Sequence, residues 1–205
     1  LRLMMKNPAN ERGFLAAYLS SVIQSDDGCR KAADALLQKY GSLGRVLERG
    51  SGELEAIVGV QGAAALKLLV AITSRRFTEG FKTGRAYSEE EICHYLKWLC
   101  FGREVECVYI LFLDKGGRLL LTEKISEGTV NSSDIVPRRA LEAAIRLKSK
   151  AKGAILAHNH PGGVVSVSDS DVYATAVMRQ ALAGVGIELL HHYIIADGQV
   201  GVIEA

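Results

Sequence analysis

Apolar residues in the first 80 positions recur at the helical period. Phe14, Leu15, Tyr18, Leu19, Val22 and Ile23 fall on one stripe, and Ala32, Ala33, Leu36, Leu37 and Tyr40 on a second. The second stripe stops at Gly41, a residue suited to a helix C-terminus. Ser51 suits the start of a turn through Ile57, the run Gly59-Val60-Gln61-Gly62 interrupts the period, and a helix resumes from Ala63 to Phe77. Helix, glycine-bounded turn and helix is the pattern of a helical hairpin, so residues 1–80 are expected to form an all-α domain.

Residues 79–87 hold two glycines and no clear period, which places a linker at 81–87. Beyond it the periodicity changes. Ser88 with Glu91 makes a capping box for a helix carrying Ile92, Tyr95, Leu96 and Leu99. Two strands follow, Cys107–Leu113 and Arg118–Ile125, around a Lys115-Gly116-Gly117 turn. A helix is expected from about Pro137 to Lys148, a buried strand over Ala154–Ala157, and a helix from about Asp169 to Ala183. Strands Ile187–Ile195 and Gln199–Ile203 around Asp197-Gly198 complete an α/β domain over 88–205.

Composition narrows the function classes. With 205 residues, 48% hydrophobic and 23% charged, the chain has ordinary globular usage, which excludes a disordered tail or a coiled coil. The longest unbroken apolar run, Val108–Leu113, falls far short of the roughly 20 residues that cross a bilayer, so no membrane partner is expected. There is no secretory pattern; a start at Leu rather than Met leads to the expectation of a fragment, and the expected location is cytoplasmic. Four irregularly spaced cysteines, Cys29, Cys93, Cys100 and Cys107, read as buried free thiols rather than a disulfide or metal framework. The net charge of +2 divides into +5 over residues 1–85 and −3 over 86–205, a mildly basic part followed by a mildly acidic one.

Candidate chemistry concentrates in residues 155–171. A short buried strand leads into His158-Asn159-His160, Pro161-Gly162-Gly163 turns the chain, and Ser168 with Asp171 opens a helix. On an extended backbone residues two apart share a side, so both imidazoles can converge on one ion while Asn159 points away. Two imidazoles, a carboxylate and a fourth position left to water are what catalytic zinc requires. Asp171 also suits a simpler role, because Ser168-x-x-Asp171 is a serviceable capping box on its own.

At this loop the chain resembles the JAMM/MPN+ metalloproteases, whose motif is H-x-H-P, six residues, then S-x-x-D; His158, His160, Pro161, Ser168 and Asp171 match it. The residues around it look like the bacterial RadC-type proteins, which join a helix-hairpin-helix domain to a JAMM domain built on a mixed sheet flanked by helices. Further likeness lies at 110–114, 127–129, 137–138 and 188–195. The resemblance implies Zn²⁺ held by His158, His160 and Asp171. It also implies Glu106 as the base that takes a proton from water, Ser168 as a donor to the developing oxyanion, and hydrolysis of a peptide or isopeptide bond in a peptide or protein substrate. Glu104 and Glu123 are weaker competitors for the base.

Two departures stand out. Gly162 replaces the serine that RadC-type proteins usually carry, and His191-His192 replaces their usual Asp-His; of these two histidines at most one can face the site, where His192 could support a ligand. An HNH nuclease and a zinc deaminase are excluded, the first because its residues are not contiguous, the second for want of a C-x-x-C. The rival reading is nonspecific DNA binding through the helical domain, with a metal-bearing but idle C-terminal domain. The hairpin Gly59-Val60-Gln61-Gly62-Ala63-Ala64-Ala65 weakens it, since Gln61 displaces a glycine and Ala64 a lysine, leaving Lys67, Arg75 and Arg76 as nearby cations.

Overall fold

The computed structural model of the chain describes residues 8–128 and 135–204. Contacts divide it into two units, Leu1–Arg75 and Arg76–Ala205.

In the first unit, α1 (Pro8–Leu19) buries Leu15 and Leu19, while Val22 and Ile23 of the expected stripe lie past its end. α2 (Asp26–Tyr40) is set by its ends. Ser25 accepts from the Gly28 N–H, Asp26 and Asp27 sit in the positive first turn, and Gly41 at φ 85° returns its N–H to the Leu37 carbonyl. A short helix that no period announced, α3 (Leu43–Leu47), follows Ser42 as N-cap; the Leu43 N–H donates to the buried carboxylate of Glu11 at 3.0 Å. Five residues are too few to display a 3.6-residue repeat.

α4 (Ser51–Thr78) runs through the expected break at 59–62, and the interruption is confined to Gly59, at φ 69° and ψ 173°. Gly62 is helical, and a Cβ there would stand 2.7 Å from that of Val58. Among the described residues α4 is the one helix long and apolar enough to cross a membrane, which a search for unbroken apolar runs overlooks because Gln61 and Lys67 interrupt it. Its Leu54, Val58, Ala63, Leu66 and Val70 are buried, while Val60, Leu68, Ile72 and Phe77 are exposed.

The second unit is α/β. α5 (Glu89–Cys100) opens on the expected capping box, with both Ser88–Glu91 bonds formed. It is followed by β1 (Cys107–Leu113), β2 (Leu119–Glu127), α6 (Ile135–Arg146), β3 (Gly153–Asn159), α7 (Asp169–Ala183), β4 (Glu188–Ala196) and β5 (Gln199–Val202). The sheet order is β2-β1-β3-β4-β5, with β3 and β4 parallel and the other pairs antiparallel, so the sheet is mixed. Thr129, in the stretch of likeness at 127–129, lies outside the described residues.

Each face of the sheet has its own core. Ile92, Tyr95 and Leu96 of α5 pack with Tyr109, Leu111, Ile155, Ala157, Tyr193 and Ile195. Ala140, Ala143 and Ala144 of α6 and Met178 and Leu182 of α7 pack with Ile110, Phe112, Ala154 and Leu156. β3 lies between β1 and β4 and is buried at every position, which is why it reads as a continuous apolar run rather than an alternating one. Residues 81–87, expected as a linker, fall inside this unit: Phe81 stacks on Tyr87 and Tyr95 at 3.9 and 4.1 Å, and Ala86 bridges to Arg118.

Candidate metal centre

β3 carries the first two candidate ligands out of the core at its C-terminal end. His158 pairs with Val108 of β1, and residues directly opposite share a face, so His158 lies on the α6/α7 face together with Glu106, two residues before Val108. His160 continues that face past the strand end, held by its N–H to the Ile195 carbonyl at 2.9 Å. Asp171 reaches the same point from the first turn of α7. The Nε2 atoms of His158 and His160 are 2.9 Å apart, and Asp171 lies 3.2 Å from the first through Oδ1 and 3.8 Å from the second through Oδ2. Taking one ligand atom from each residue, the three lie within 4.8 Å of one another, somewhat wider than the ~3.3 Å edge of a tetrahedron with metal–ligand bonds of about 2.0–2.1 Å.

Asp171 forms the capping box and still presents a carboxylate oxygen to the rings. Oδ2 accepts the Ser168 N–H at 2.9 Å and the Ser168 hydroxyl at 2.7 Å, and Ser168 Oγ accepts the Asp171 N–H at 3.2 Å, closing the capping box. Oδ1 remains turned to His158. Burial raises the Asp171 pKa, but the Ser168 hydroxyl and N–H and the two histidines outweigh it, so the carboxyl sits below its ordinary value. The Ser168 hydroxyl proton is engaged with Asp171 in this arrangement.

Hydrogen-bond partners assign the ring tautomers. His160 Nδ1 is 3.1 Å from the Val164 carbonyl, which can only accept, so the proton is on Nδ1 and Nε2 presents a lone pair. Thr175 Oγ1 donates its single proton to the Asp171 carbonyl at 2.6 Å and therefore accepts from His192 Nδ1, also at 2.6 Å. His192 Nε2 is then an acceptor, and His158 Nδ1 donates to it at 2.8 Å. His158 Nε2 is left with a lone pair aimed at that of His160. With both rings neutral, two ring lone pairs and a carboxylate oxygen converge as a donor set that a cation satisfies, and the three residues form a group able to hold a metal ion.

Glu106 is exposed overall, yet protein crowds its carboxyl enough that partial desolvation raises its pKa, with His160 opposing and Asp171 adding to the rise. The competitors stand elsewhere. Glu104 lies in the exposed approach to β1, and Glu123, opposite Ile110 in β2, is paired with Arg146 of α6.

A family model for the RadC-like JAB domain matches residues 86–203. The chain belongs to this family. It is 34% identical over 190 residues to a UPF0758 protein of Photobacterium profundum, covering 91% of this chain and 83% of that one. It is 31% identical over 204 residues to one of Methylibium petroleiphilum, with 97% and 90% covered. A third, from Vibrio parahaemolyticus, is 36% identical over 170 residues, with 82% and 75% covered. The RadC-like JAB domain is of the JAMM-like hydrolase kind.

Three residues of this RadC-like site escape a reading of the loop alone. Thr175 carries no motif, and Asn159 points away from the rings; the remaining one, His192, depends on a strand irregularity. The β3–β4 register shifts between Ala154, which pairs with Leu189, and Ile155, which pairs with His191. That extra residue inverts the alternation of β4 beyond Leu190, so buried His192 joins His158 on the site face while His191 is exposed and stacks on Tyr193 at 5.4 Å.

Burial pushes the His158 pKa down to about 4 and that of His192 to about 3, from an ordinary value near 6.5. Below pH 6.5 the unfolded chain binds protons that the folded chain refuses. Chelator-treated protein is therefore expected to keep this contribution above about pH 6.5 and to lose it as the pH falls toward 4. The slope approaches ~2.7 kcal/mol per pH unit if both rings take part. Urea midpoints at pH 7, 6 and 5 check this, and identical midpoints at pH 7 and 5 would contradict it.

Proposed function

We propose that this chain is a zinc-dependent hydrolase of peptide or isopeptide bonds, with His158, His160 and Asp171 as ligands and Glu106 as the proton carrier. The observation that supports it most is the convergence of two ring lone pairs and Asp171 within 2.9–3.8 Å, with Glu106 on the same face of the sheet. Zn²⁺ suits a donor set of two neutral imidazoles and a carboxylate, and would supply Lewis acidity that lowers the pKa of water toward about 7.

The chain's own residues divide the remaining work. His192 and Val164 hold the two rings in the tautomers that expose Nε2. Ser168 anchors Asp171 through its N–H as well as its hydroxyl, so the hydroxyl can turn toward an oxyanion while the backbone bond persists. Glu106, its pKa raised by crowding, accepts the proton of the attacking water and returns it to the departing amine nitrogen. Balance is kept: one C–N bond breaks, one C–O bond forms, and the proton moves from water to amine.

The test is digestion of an internally quenched random peptide library and of its counterpart branched through lysine ε-amines, with zinc-loaded and metal-free protein compared. Zinc-dependent release from either supports the reading. Release from neither, at protein concentrations where zinc is bound, ends it.

A further inference from the structure

Asn159 sits between two proposed ligands but does not face them. It is 4% exposed, and its carboxamide reaches the lead-in to β1: Oδ1 accepts the Cys107 N–H at 2.8 Å, and Nδ2 donates to the Val105 carbonyl at 3.1 Å. These two backbone groups flank Glu106. On an extended segment the carbonyl of one residue and the N–H of the second residue after it point to the same edge, while the residue between turns its own groups to the opposite edge. There the Glu106 carbonyl accepts the Gly128 N–H at 2.8 Å.

The β1–β3 register ends at Val108 opposite His158, so residues 105–107 lie where the ladder has run out. A side-chain amide offers one acceptor and a donor, the complement of a peptide group, and Asn159 uses both to continue the ladder past its last backbone pair. Aspartate would lack the donor, leucine both groups, and glutamine would be one methylene too long. Because Asn159 is covalently flanked by His158 and His160, whatever holds Glu106 through it also fixes the distance from that carboxylate to the two rings.

We propose that Asn159 is a positioning residue that clamps the backbone on either side of Glu106 and so sets its carboxylate against the metal ligands. This rests on the reading of Glu106 as proton carrier. A proton carrier displaced by about 1 Å loses on the order of 10²-fold in rate, whereas the ligands, held by His192, Val164 and Ser168, do not depend on the clamp.

The experiment uses the zinc-loaded full chain as wild type, Asn159→Ala, Glu106→Gln and the double variant. In Asn159→Ala, hydrogen exchange at the Cys107 amide is expected to rise while zinc content stays at the wild-type level. Against the library peptide that wild type cleaves fastest, kcat should fall on the order of 10²-fold with KM little changed. In the Glu106→Gln background the same substitution should alter the residual rate less than about 3-fold, since no base remains to be misplaced. A purely structural role would lower both backgrounds alike, and that result overturns the inference. Crystals of zinc-loaded Asn159→Ala decide independently of any substrate: a displaced Glu106 carboxylate supports the clamp, and one that stays in its wild-type place refutes it. An unchanged rate in Glu106→Gln alone counts instead against Glu106 as the proton carrier, the part of the proposed function on which the clamp rests.

Discussion

Replacing any one of His158, His160 or Asp171 with alanine is expected to reduce bound zinc from about one per chain to below about 0.1 after a mild chelator wash, because a catalytic site has only three protein ligands to lose. Residues that merely orient a ligand are worth about 10–100-fold in affinity, so loss of a ligand itself should exceed that. Asp171 allows a sharper version. Its Oδ2 holds the cap of α7 while Oδ1 faces His158, so Asp171→Ala removes two functions at once. Asp171→Asn keeps an oxygen able to accept the Ser168 N–H and hydroxyl but is a poor zinc ligand. Metal-free Asp171→Ala should therefore lose ~1 kcal/mol of unfolding stability and metal-free Asp171→Asn much less, while both lose zinc. Elemental analysis and urea unfolding read the two effects separately. Zinc content preserved in all these variants would remove the metal centre from consideration.

The second large effect belongs to Glu106. Glu106→Gln keeps the shape of the side chain and removes its basicity, so zinc content should remain at the wild-type level while the cleavage rate falls by ~10²–10⁴-fold, the range a general base contributes. Unaltered zinc with a collapsed rate separates a proton-transfer defect from a binding defect. Equal losses in Glu104→Gln, whose position is in the exposed approach to β1, would instead point to a diffuse effect of charge near the site.

Much of this arrangement was legible in the chain before any coordinates. The capping boxes at Ser88 and Ser168 announced α5 and α7 to within a residue, because a cap is a local bond between groups three residues apart. The spacing of His158 and His160 placed both rings on one side of a strand for the same reason. α3 was missed because it is shorter than two turns, and residues 81–87 read as a linker because Phe81, Tyr87 and Tyr95 stack without any repeat that a window along the sequence can register.

Local order, then, the amino-acid sequence determined by itself: helix starts, the alternation that pairs the two imidazoles, and a carboxylate held at the head of α7. Only the tertiary structure decided which neighbours complete them. The register shift near Leu190 chose His192 over His191, and the antiparallel pairing of β1 with β3 brought Glu106 and Asn159, 53 positions apart in sequence, to one edge of the site. Strand register is set by the packing of both sheet faces against α5, α6 and α7, a sum over many weak apolar contacts that no short stretch of chain contains.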